Sequence, residues 1–157
     1  MTISKNITCL PMGSKISTPK GKVNIENIVR GDIVYSCASG NGDSLYFKIT
    51  DKIENDIVVR ATVNRIYTGL IIVLLANGNA LEITGNHEVY VNNKGWIRSG
   101  YLEGGDELIQ FDLRGNSLSV AKVARVFMEK GDIVVYDLDT AKYHNYFADN
   151  ILVHCML

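Results

Sequence analysis

The sequence predicts an all-β domain built from many short strands. Apolar residues alternate with polar ones or form short runs, and no window shows the 3.6-residue period of a long helix. Glycine and asparagine interrupt these runs at intervals that are typical of tight turns. With 157 residues, the chain is long enough for one domain with a substantial hydrophobic core.

The individual elements follow from local patterns. The strand-like segments lie at residues 56–97, 112–127 and 131–140, and turns are predicted at 114–116 and 130–131. Asn77-Gly78 lies between two apolar runs and predicts a hairpin with a two-residue loop. The pentapeptides IENIV (25–29) and SGYLE (99–103) each predict a single helical turn.

An internal repeat supports the all-β prediction. Residues 21–34 align without gaps on residues 95–108, an offset of 74 positions. The matching pairs are Gly21/Gly95, Val23/Ile97, Ile28/Leu102, Gly31/Gly105, Asp32/Asp106 and Val34/Leu108. Two copies are too few for a solenoid, so they predict a duplicated β unit related by a pseudo-two-fold axis. Chance agreement between common turn sequences is the alternative.

The composition excludes several classes of function. The net charge is -1, with 16 basic and 17 acidic residues and no basic run, so no nucleic-acid partner is expected. The longest apolar run, Leu70–Ala76, is too short to span a membrane, and residues 1–8 lack the apolar centre of a secretory signal. Three widely spaced cysteines do not form a disulfide framework. We expect a monomer in a reducing compartment such as the cytoplasm.

Two groups of residues early in the chain have chemical potential. Cys9 stands at the start of the patterned sequence, although a lone cysteine is more often a small buried packing residue. Thr84 and His87 lie three positions apart in a turn before the strand EVYV, where they can point at one place. A thiol has a pKa of about 8.5 and imidazole one of about 6.5, so a histidine can accept a thiol proton near neutrality. Each residue alone also fits a purely structural role.

The last segment of the chain adds further candidates. Asp137 is followed by His144 and His154, which are ten positions apart and meet if a turn at 148–150 folds their strands together. Cys155 follows His154 directly. Of the other polar candidates, we interpret Cys37 as a packing residue, and Asn145 as a turn cap.

These motifs together resemble those of Hint domains, the fold shared by inteins, bacterial intein-like domains and Hedgehog autoprocessing domains. The opening block CLPMGSKISTPKGKVNIENIVRGDIVYS begins on Cys9, TGNHEVYV is similar to the family's Thr-x-x-His block, and VYDLDTAKYHNYFADNILVH is similar to its two closing blocks. The resemblance implies a Hint-type horseshoe over residues 9–155, with flanks at 1–8 and 156–157. The length implies a mini-intein or bacterial intein-like domain, without an endonuclease insertion.

The resemblance also implies roles for individual residues. Cys9 attacks the carbonyl of Thr8 and converts the Thr8–Cys9 peptide into a thioester. Thr84 and His87 hold and protonate the scissile amide, Asp137 acts near the thiol, and His144 and His154 assist at the C-terminal junction. No cofactor or metal is implied. The expected partners are the flanking segments of the chain's own polypeptide and an external thiol or amine that accepts the acyl group.

The C-terminal junction departs from the family pattern. Splicing inteins end on His-Asn, and the asparagine cyclises to release the chain. Here Cys155 follows His154, and a thiol has no carboxamide with which to form a succinimide. We therefore expect N-terminal cleavage or acyl transfer rather than clean splicing, with Cys155 as a possible second nucleophile or an unreactive replacement.

Several alternatives remain open at the level of sequence. The alternatives are an inert Hint scaffold, a turnover cysteine hydrolase that uses Cys, His and Asp, and a metal-binding β domain. No Cys-x-x-Cys or His-x-x-x-His spacing supports the metal site, although a zinc ion bridging Cys9 and a histidine is a milder version. A disulfide between Cys9 and Cys155 is a further alternative.

Overall fold

The computed structural model describes residues 8–38, 47–66, 69–112 and 116–155. Residues 1–7 of the predicted upstream flank, the downstream flank at 156–157 and residues 114–115 of a predicted turn lie outside these ranges. The described residues form fourteen strands and two 3-10 turns, so the all-β prediction is confirmed. None of their helical segments is long and apolar enough to cross a membrane.

The strands are β1 Leu10–Pro11, β2 Lys15–Thr18, β3 Gly21–Asn24, β4 Ile33–Ala38, β5 Lys52–Ile66, β6 Leu70–Leu75, β7 Ala80–Ile83, β8 Glu88–Val91, β9 Gly95–Arg98, β10 Glu107–Asp112, β11 Ser117–Glu129, β12 Ile133–Thr140, β13 Asn145–Ala148 and β14 Ile151–His154. The 3-10 turns are Ile25–Asn27 and Ser99–Tyr101, the two places where single helical turns were predicted.

The predicted duplication is present in the structure. β3, a 3-10 turn and β4 in the first copy correspond to β9, a 3-10 turn and β10 in the second. Gly31 and Gly105 occupy equivalent left-handed conformations, with φ of 97° and 95°. Their N–H groups donate to the carbonyls of Val58 and Val123, both at 2.8 Å. Because glycine adopts positive φ without strain, the same residue recurs at the same turn.

Two sheets in the described part of the chain give the horseshoe. The smaller has the strand order β1-β12-β5-β4, and the larger has the order β3-β2-β13-β14-β8-β10-β11-β6-β7, with β9 pairing to β8. The long strands β5 and β11 each pair with two neighbours, β5 with β4 and β12, and β11 with β10 and β6. Each long strand thereby extends across one half of the duplicated fold, and the predicted Hint-type architecture is confirmed.

The hairpins show how local sequence fixes the strand ends. Asp149 and Asn150, with φ of 48° and 70°, form a two-residue loop between β13 and β14, as the turn at 148–150 predicted. The β6–β7 hairpin is present, but its loop has three residues rather than the predicted two. The Leu75 N–H donates to the Asn79 carbonyl at 2.8 Å, and Gly78 has a φ of 92°. A type I turn followed by a left-handed glycine suits the twist of the strands equally well.

Apolar side chains fill the space between the curled sheets. The largest cluster of buried residues includes Leu10 and Val34 from the first half of the chain and Leu81 and Leu108 from the second. A second cluster centres on Phe47, and the rings of the neighbouring Tyr90 and Trp96 meet it edge-to-face. Both ends of the described chain, near Thr8 and Cys155, are held against this core.

Candidate active site

Cys9 is held by the turn that follows β7. Its backbone N–H donates to Thr84 Oγ1 at 2.9 Å, and the Thr84 N–H donates back to the Cys9 carbonyl at 3.0 Å. On the other side, β1 pairs with β12 through Leu10 and Tyr136. The peptide between Thr8 and Cys9 therefore lies between the Thr84 turn and β12, and its N–H already has a hydrogen-bond acceptor.

The second 3-10 turn supports the segment from Thr84 to His87. Ser99 Oγ donates to the Thr84 carbonyl at 2.7 Å, and the Ser99 N–H donates to the His87 carbonyl at 3.0 Å. The Gly100 N–H donates to the Gly85 carbonyl at 2.9 Å. Sequence reasoning did not single out Ser99 as a site residue, although it lies in the repeated unit, and its side chain is fully buried.

The His87 ring joins the two ends of the chain. His87 is fully buried, and its Nε2 lies 2.7 Å from the carbonyl oxygen of His154. Because a carbonyl oxygen only accepts hydrogen bonds, Nε2 carries a proton and the neutral ring has its lone pair on Nδ1. Among the described residues, that buried Nδ1 atom has no hydrogen-bond partner. The ring can therefore accept a proton while it polarises the His154 carbonyl.

Asp137 lies beside the Thr8–Cys9 peptide on β12. Thr8 Oγ1 donates to its Oδ2 at 2.8 Å, and the hydroxyl of Tyr146 and the N–H of Leu138 donate to its Oδ1 at 2.6 and 2.7 Å. Burial raises the pKa of Asp137, while the electrostatic interaction with His87 and these hydrogen bonds act in the opposite direction. The carboxyl group thus fixes the residue upstream of Cys9 and is more readily protonated than an exposed one.

The Cys9 thiol is buried and weakly acidic. Burial, together with the negative charge of Asp137, raises its pKa to about 12, and a hydrogen bond from Asn64 opposes the shift. At neutral pH roughly one thiol in 10⁵ is therefore ionised. Any attack by the sulfur requires that the proton leaves as the new bond forms, and the free Nδ1 of His87 is a base in the same buried region.

At the C-terminal junction, the backbone of His144 rather than its ring contacts Cys155. His144 has a left-handed φ of 56°, and its carbonyl accepts the Cys155 N–H at 2.9 Å. Its ring is exposed and pairs with Asp139, with Nδ1 3.2 Å from Oδ1. The His154 ring packs edge-on against Trp96, and its Nδ1 lies 2.8 Å from the Cys155 carbonyl. The antiparallel pairing of β13 and β14 brings the two histidine backbones together, as the sequence predicted.

Cys155 is as deeply buried as Cys9. Its side chain is 2% exposed, and Sγ lies 3.6 Å from the hydroxyl of Thr140. Burial raises the pKa of this thiol well above its usual range, and the Thr140 hydroxyl acts in the opposite direction. Coulombic effects of Asp137 reach both thiols, which places the two junctions near one carboxyl group.

Several residues of the site were not found from the sequence. They are Asn64, Ser99, Thr140, Tyr146 and Asp56, and each contacts a junction residue or a segment that holds one. Asp56 is buried and accepts the N–H groups of Lys142 at 3.1 Å and Tyr143 at 2.7 Å, which holds the loop that leads into His144. No local motif marks such an acceptor, because its partners lie 86 and 87 positions away.

Cys37 lies in a buried cluster that contains neither junction cysteine, and the side chain of Asn145 binds its backbone. The Asn145 side chain accepts the Cys37 N–H at 2.7 Å and donates to the Cys37 carbonyl at 3.0 Å, so it connects β13 to β4. All three cysteines are free thiols. Within the described ranges, no group of three or more His, Cys, Asp and Glu side chains is arranged to hold a metal ion.

Comparison with known proteins identifies the fold family. The sequence profile described as the Pretoxin HINT domain matches residues 15–155. The chain belongs to the Pretoxin HINT domain family. No curated protein is significantly similar to this Hint domain in sequence.

Solved structures agree with this assignment. The bacterial intein-like domain from Clostridium thermocellum is 26% identical, with a TM-score of 0.78, and the match covers 94% of this chain and 99% of that one. The DnaB intein from Synechocystis sp. PCC 6803 is 19% identical, with a TM-score of 0.78 and coverage of 96% and 100%. The TvoVMA intein is 18% identical, with a TM-score of 0.76 and coverage of 94% and 97%. At such low identity, the two inteins show likeness of fold alone.

Membership of this family indicates a broad class of function. The Hint fold supports autoprocessing or splicing of polypeptides. The matched family segment begins at Lys15, so Thr8 and Cys9 precede it. The family match therefore carries no information on the Thr8–Cys9 peptide.

Proposed function

We propose that this Hint domain converts the Thr8–Cys9 peptide into a thioester and so activates its upstream flank for release or transfer. The observation that supports this most directly is the placement of Cys9, whose N–H is bonded to Thr84 Oγ1 in the same turn as His87. The buried Nδ1 of His87 has no hydrogen-bond partner among the residues that the structure describes. Residues 9–155 form the processing domain in this proposal. Residues 1–8 and 156–157 are the flanks.

The reaction exchanges one bond for another without a co-reactant. Cys9 Sγ attacks the carbonyl carbon of Thr8, the C–N bond to Cys9 breaks, and the thiol proton ends on the new amine. Nδ1 of His87 serves as the base that takes this proton and returns it to nitrogen, which is general acid–base catalysis with one group. A single imidazole suffices because the proton lost and the proton gained are the same.

Thr84 and Asp137 position the two sides of the scissile bond. The hydroxyl of Thr84 fixes the direction of the Cys9 N–H, and the carboxyl of Asp137 fixes the side chain of Thr8. Groups that are already held in position lose less entropy on the way to the transition state than groups that move freely. Burial raises the pKa of Asp137, so its carboxyl group takes up a proton more readily than an exposed one, and protonation would remove the negative charge that opposes a thiolate at Cys9.

The thioester has several fates. Water, an external thiol or amine, or the thiol of Cys155 can accept the acyl group. Cys155 cannot cyclise as the terminal asparagine of a splicing intein does, so clean splicing of the two flanks is not expected. His144 and His154 assist at this junction, His154 through its ring beside the Cys155 carbonyl.

A reporter protein placed upstream of Thr8 tests the proposal. Intact mass is followed at neutral pH with dithiothreitol or with hydroxylamine, each of which cleaves a thioester. We expect release of the reporter from the wild-type domain and none from Cys9→Ala. Cys37→Ala is the matched control, because it removes an equally buried thiol that belongs to a different buried cluster from Cys9. Retention of the reporter in the wild type under both treatments would refute the proposed thioester and would favour the inert Hint scaffold.

A turnover cysteine hydrolase is less well supported by the geometry. Cys9 is 1% exposed, and its backbone is enclosed by the Thr84 turn and β12, which suits attack on the adjoining peptide rather than on a separate substrate. Cleavage of a separately supplied thioester or peptide by the intact domain would be needed to support that alternative.

A further inference from the structure

The backbone carbonyl of His154 accepts a hydrogen bond from a buried side chain. It accepts a hydrogen bond at 2.7 Å from Nε2 of His87, a fully buried side chain that is not part of the strand ladder. This carbonyl belongs to the peptide between His154 and Cys155. A fixed donor in a buried site stabilises negative charge that develops on a carbonyl oxygen during nucleophilic attack.

A nucleophile lies one residue away from that carbonyl. Cys155 stands in the same relation to the His154 carbonyl as Cys9 does to the Thr8 carbonyl, and both thiols are buried. The hydroxyl oxygen of Thr140 accepts the His144 N–H at 3.0 Å and lies 3.6 Å from Cys155 Sγ. With that N–H already bound to the oxygen, the Thr140 hydroxyl proton can point to the sulfur and stabilise it as it loses its own proton.

The other groups of this peptide are also held. The Cys155 N–H donates to the His144 carbonyl at 2.9 Å, and that carbonyl can still accept a hydrogen bond from the amine that replaces the amide. The carbonyl of Cys155 lies 2.8 Å from Nδ1 of His154. The peptide is therefore fixed on both sides of the bond that would break, as an intramolecular reaction requires.

From this geometry we infer that Cys155 is the nucleophile of a second acyl shift, at the His154–Cys155 peptide. Cys155 Sγ forms a bond to the carbonyl carbon of His154, the C–N bond to Cys155 breaks, and the thiol proton ends on the amine of Cys155. An external thiol or water then takes the acyl group and releases everything that follows His154. This step gives cleavage at the C-terminal junction without an asparagine, and it does not require the thioester at Cys9.

Thr140 is a positioning residue in this inference, and His87 supplies the oxyanion donor. Loss of the Thr140 hydroxyl removes the donor to the sulfur and leaves the N–H of His144 without its acceptor. We expect the rate of C-terminal release to fall by about tenfold in Thr140→Val, the effect of a hydrogen bond of about 1.4 kcal/mol. Thr140→Ser keeps the hydroxyl and should restore most of the rate.

The test places a reporter downstream of Leu157 in a Cys9→Ala background, so that the upstream thioester cannot form. The folded protein is incubated with 2-mercaptoethanesulfonate at neutral pH, and the products are measured by intact mass. We expect a domain that ends at His154 as the thioester of the added thiol, and a reporter that begins with Cys155. Cys155→Ala and Cys155→Ser should release at least tenfold less, since an alcohol is a poorer nucleophile than a thiol.

The controls separate this inference from the proposed function. Thr18→Val removes a buried hydroxyl that bonds to the Gly21 carbonyl away from the junctions, and it should release the downstream reporter at the parental rate. Equal release from Cys155→Ala, or no release from the folded Cys9→Ala parent, would overturn the inference. Neither result bears on upstream cleavage by the wild type, which is measured separately and can fail or succeed by itself.

Discussion

Replacement of Thr84 by valine removes the hydroxyl that accepts the Cys9 N–H and changes the shape of the side chain very little. The backbone groups of Thr84 keep their bonds to Cys9, His87 and Ser99, so the turn should persist. The change therefore tests the scissile N–H contact with little other disturbance.

The size of the effect follows from burial. Cys9 is 1% exposed and Thr84 is 4% exposed, so water cannot readily replace the lost acceptor. A buried donor left without a partner costs about 1–3 kcal/mol. If the same contact orients the peptide in the transition state, cleavage upstream of Cys9 should slow by about 5- to 150-fold.

The assay measures thiol-induced release of an upstream reporter together with the free energy of unfolding in urea. Thr18→Val is the matched control: it loses a buried hydroxyl away from both junctions and should reduce stability without reducing the cleavage rate. Thr84→Ser keeps the hydroxyl and should retain most of the activity. A folded Thr84→Val variant that cleaves within twofold of the wild-type rate would refute the role given to this hydroxyl.

Three further predictions concern stability. Gly69→Ala should lower the free energy of unfolding, measured by urea titration, by about 3 kcal/mol or more, because a Cβ there would lie 2.0 Å from the Glu129 carbonyl oxygen. Gly78 has a similar φ but faces open space, so Gly78→Ala should lower it by only about 1–2 kcal/mol. Asn145→Ala should cost about 2–4 kcal/mol, since it leaves the N–H and the carbonyl of Cys37 without partners inside the core; full stability on urea unfolding would contradict the contact. Burial raises the pKa of Cys37 from 9.0 to about 12, so the folded state holds a proton that the unfolded state loses, and this contribution to stability is present below pH 9 and is lost as the pH rises towards 12. The cost of Cys37→Ala should therefore shrink by up to about 4 kcal/mol between pH 8 and pH 12, and a cost independent of pH would show that the thiol is not buried in this way.

The sequence contained enough information for the architecture. The alternation of apolar residues predicted the strands, and the repeat of residues 21–34 at 95–108 predicted the pseudo-two-fold duplication. Glycine at a tight turn indicates a left-handed conformation that other residues rarely adopt, so the sequence alone could align Gly31 with Gly105 in the repeat. The loop at Asn77-Gly78 was wrong by one residue, because two-residue and three-residue loops with a left-handed glycine have the same sequence signal.

The candidate site could be predicted only in part. Cys9, Thr84, His87, Asp137, His154 and Cys155 were identified as candidates, and the structure brings them to the two junctions; their chemical roles stay predictions. His144 was expected to assist at the C-terminal junction, and the structure places its backbone carbonyl there and its ring on the surface beside Asp139. This backbone geometry depends on the left-handed φ at His144. Histidine adopts such a φ only occasionally, and no residue pattern in the sequence indicates it.

The sequence by itself determined the fold class, the duplication and the types of group available for chemistry, because these depend on the order of residues and on local conformational preferences. Only the tertiary structure decided which atoms meet. Nε2 of His87 reaches the carbonyl of His154 across 67 positions, and Asp56 holds the loop before His144 across 86 and 87 positions. Contacts between residues so far apart arise from the pairing and curvature of whole sheets. They also set the burial that raises the pKa of both junction thiols, a property that no short segment of the sequence possesses.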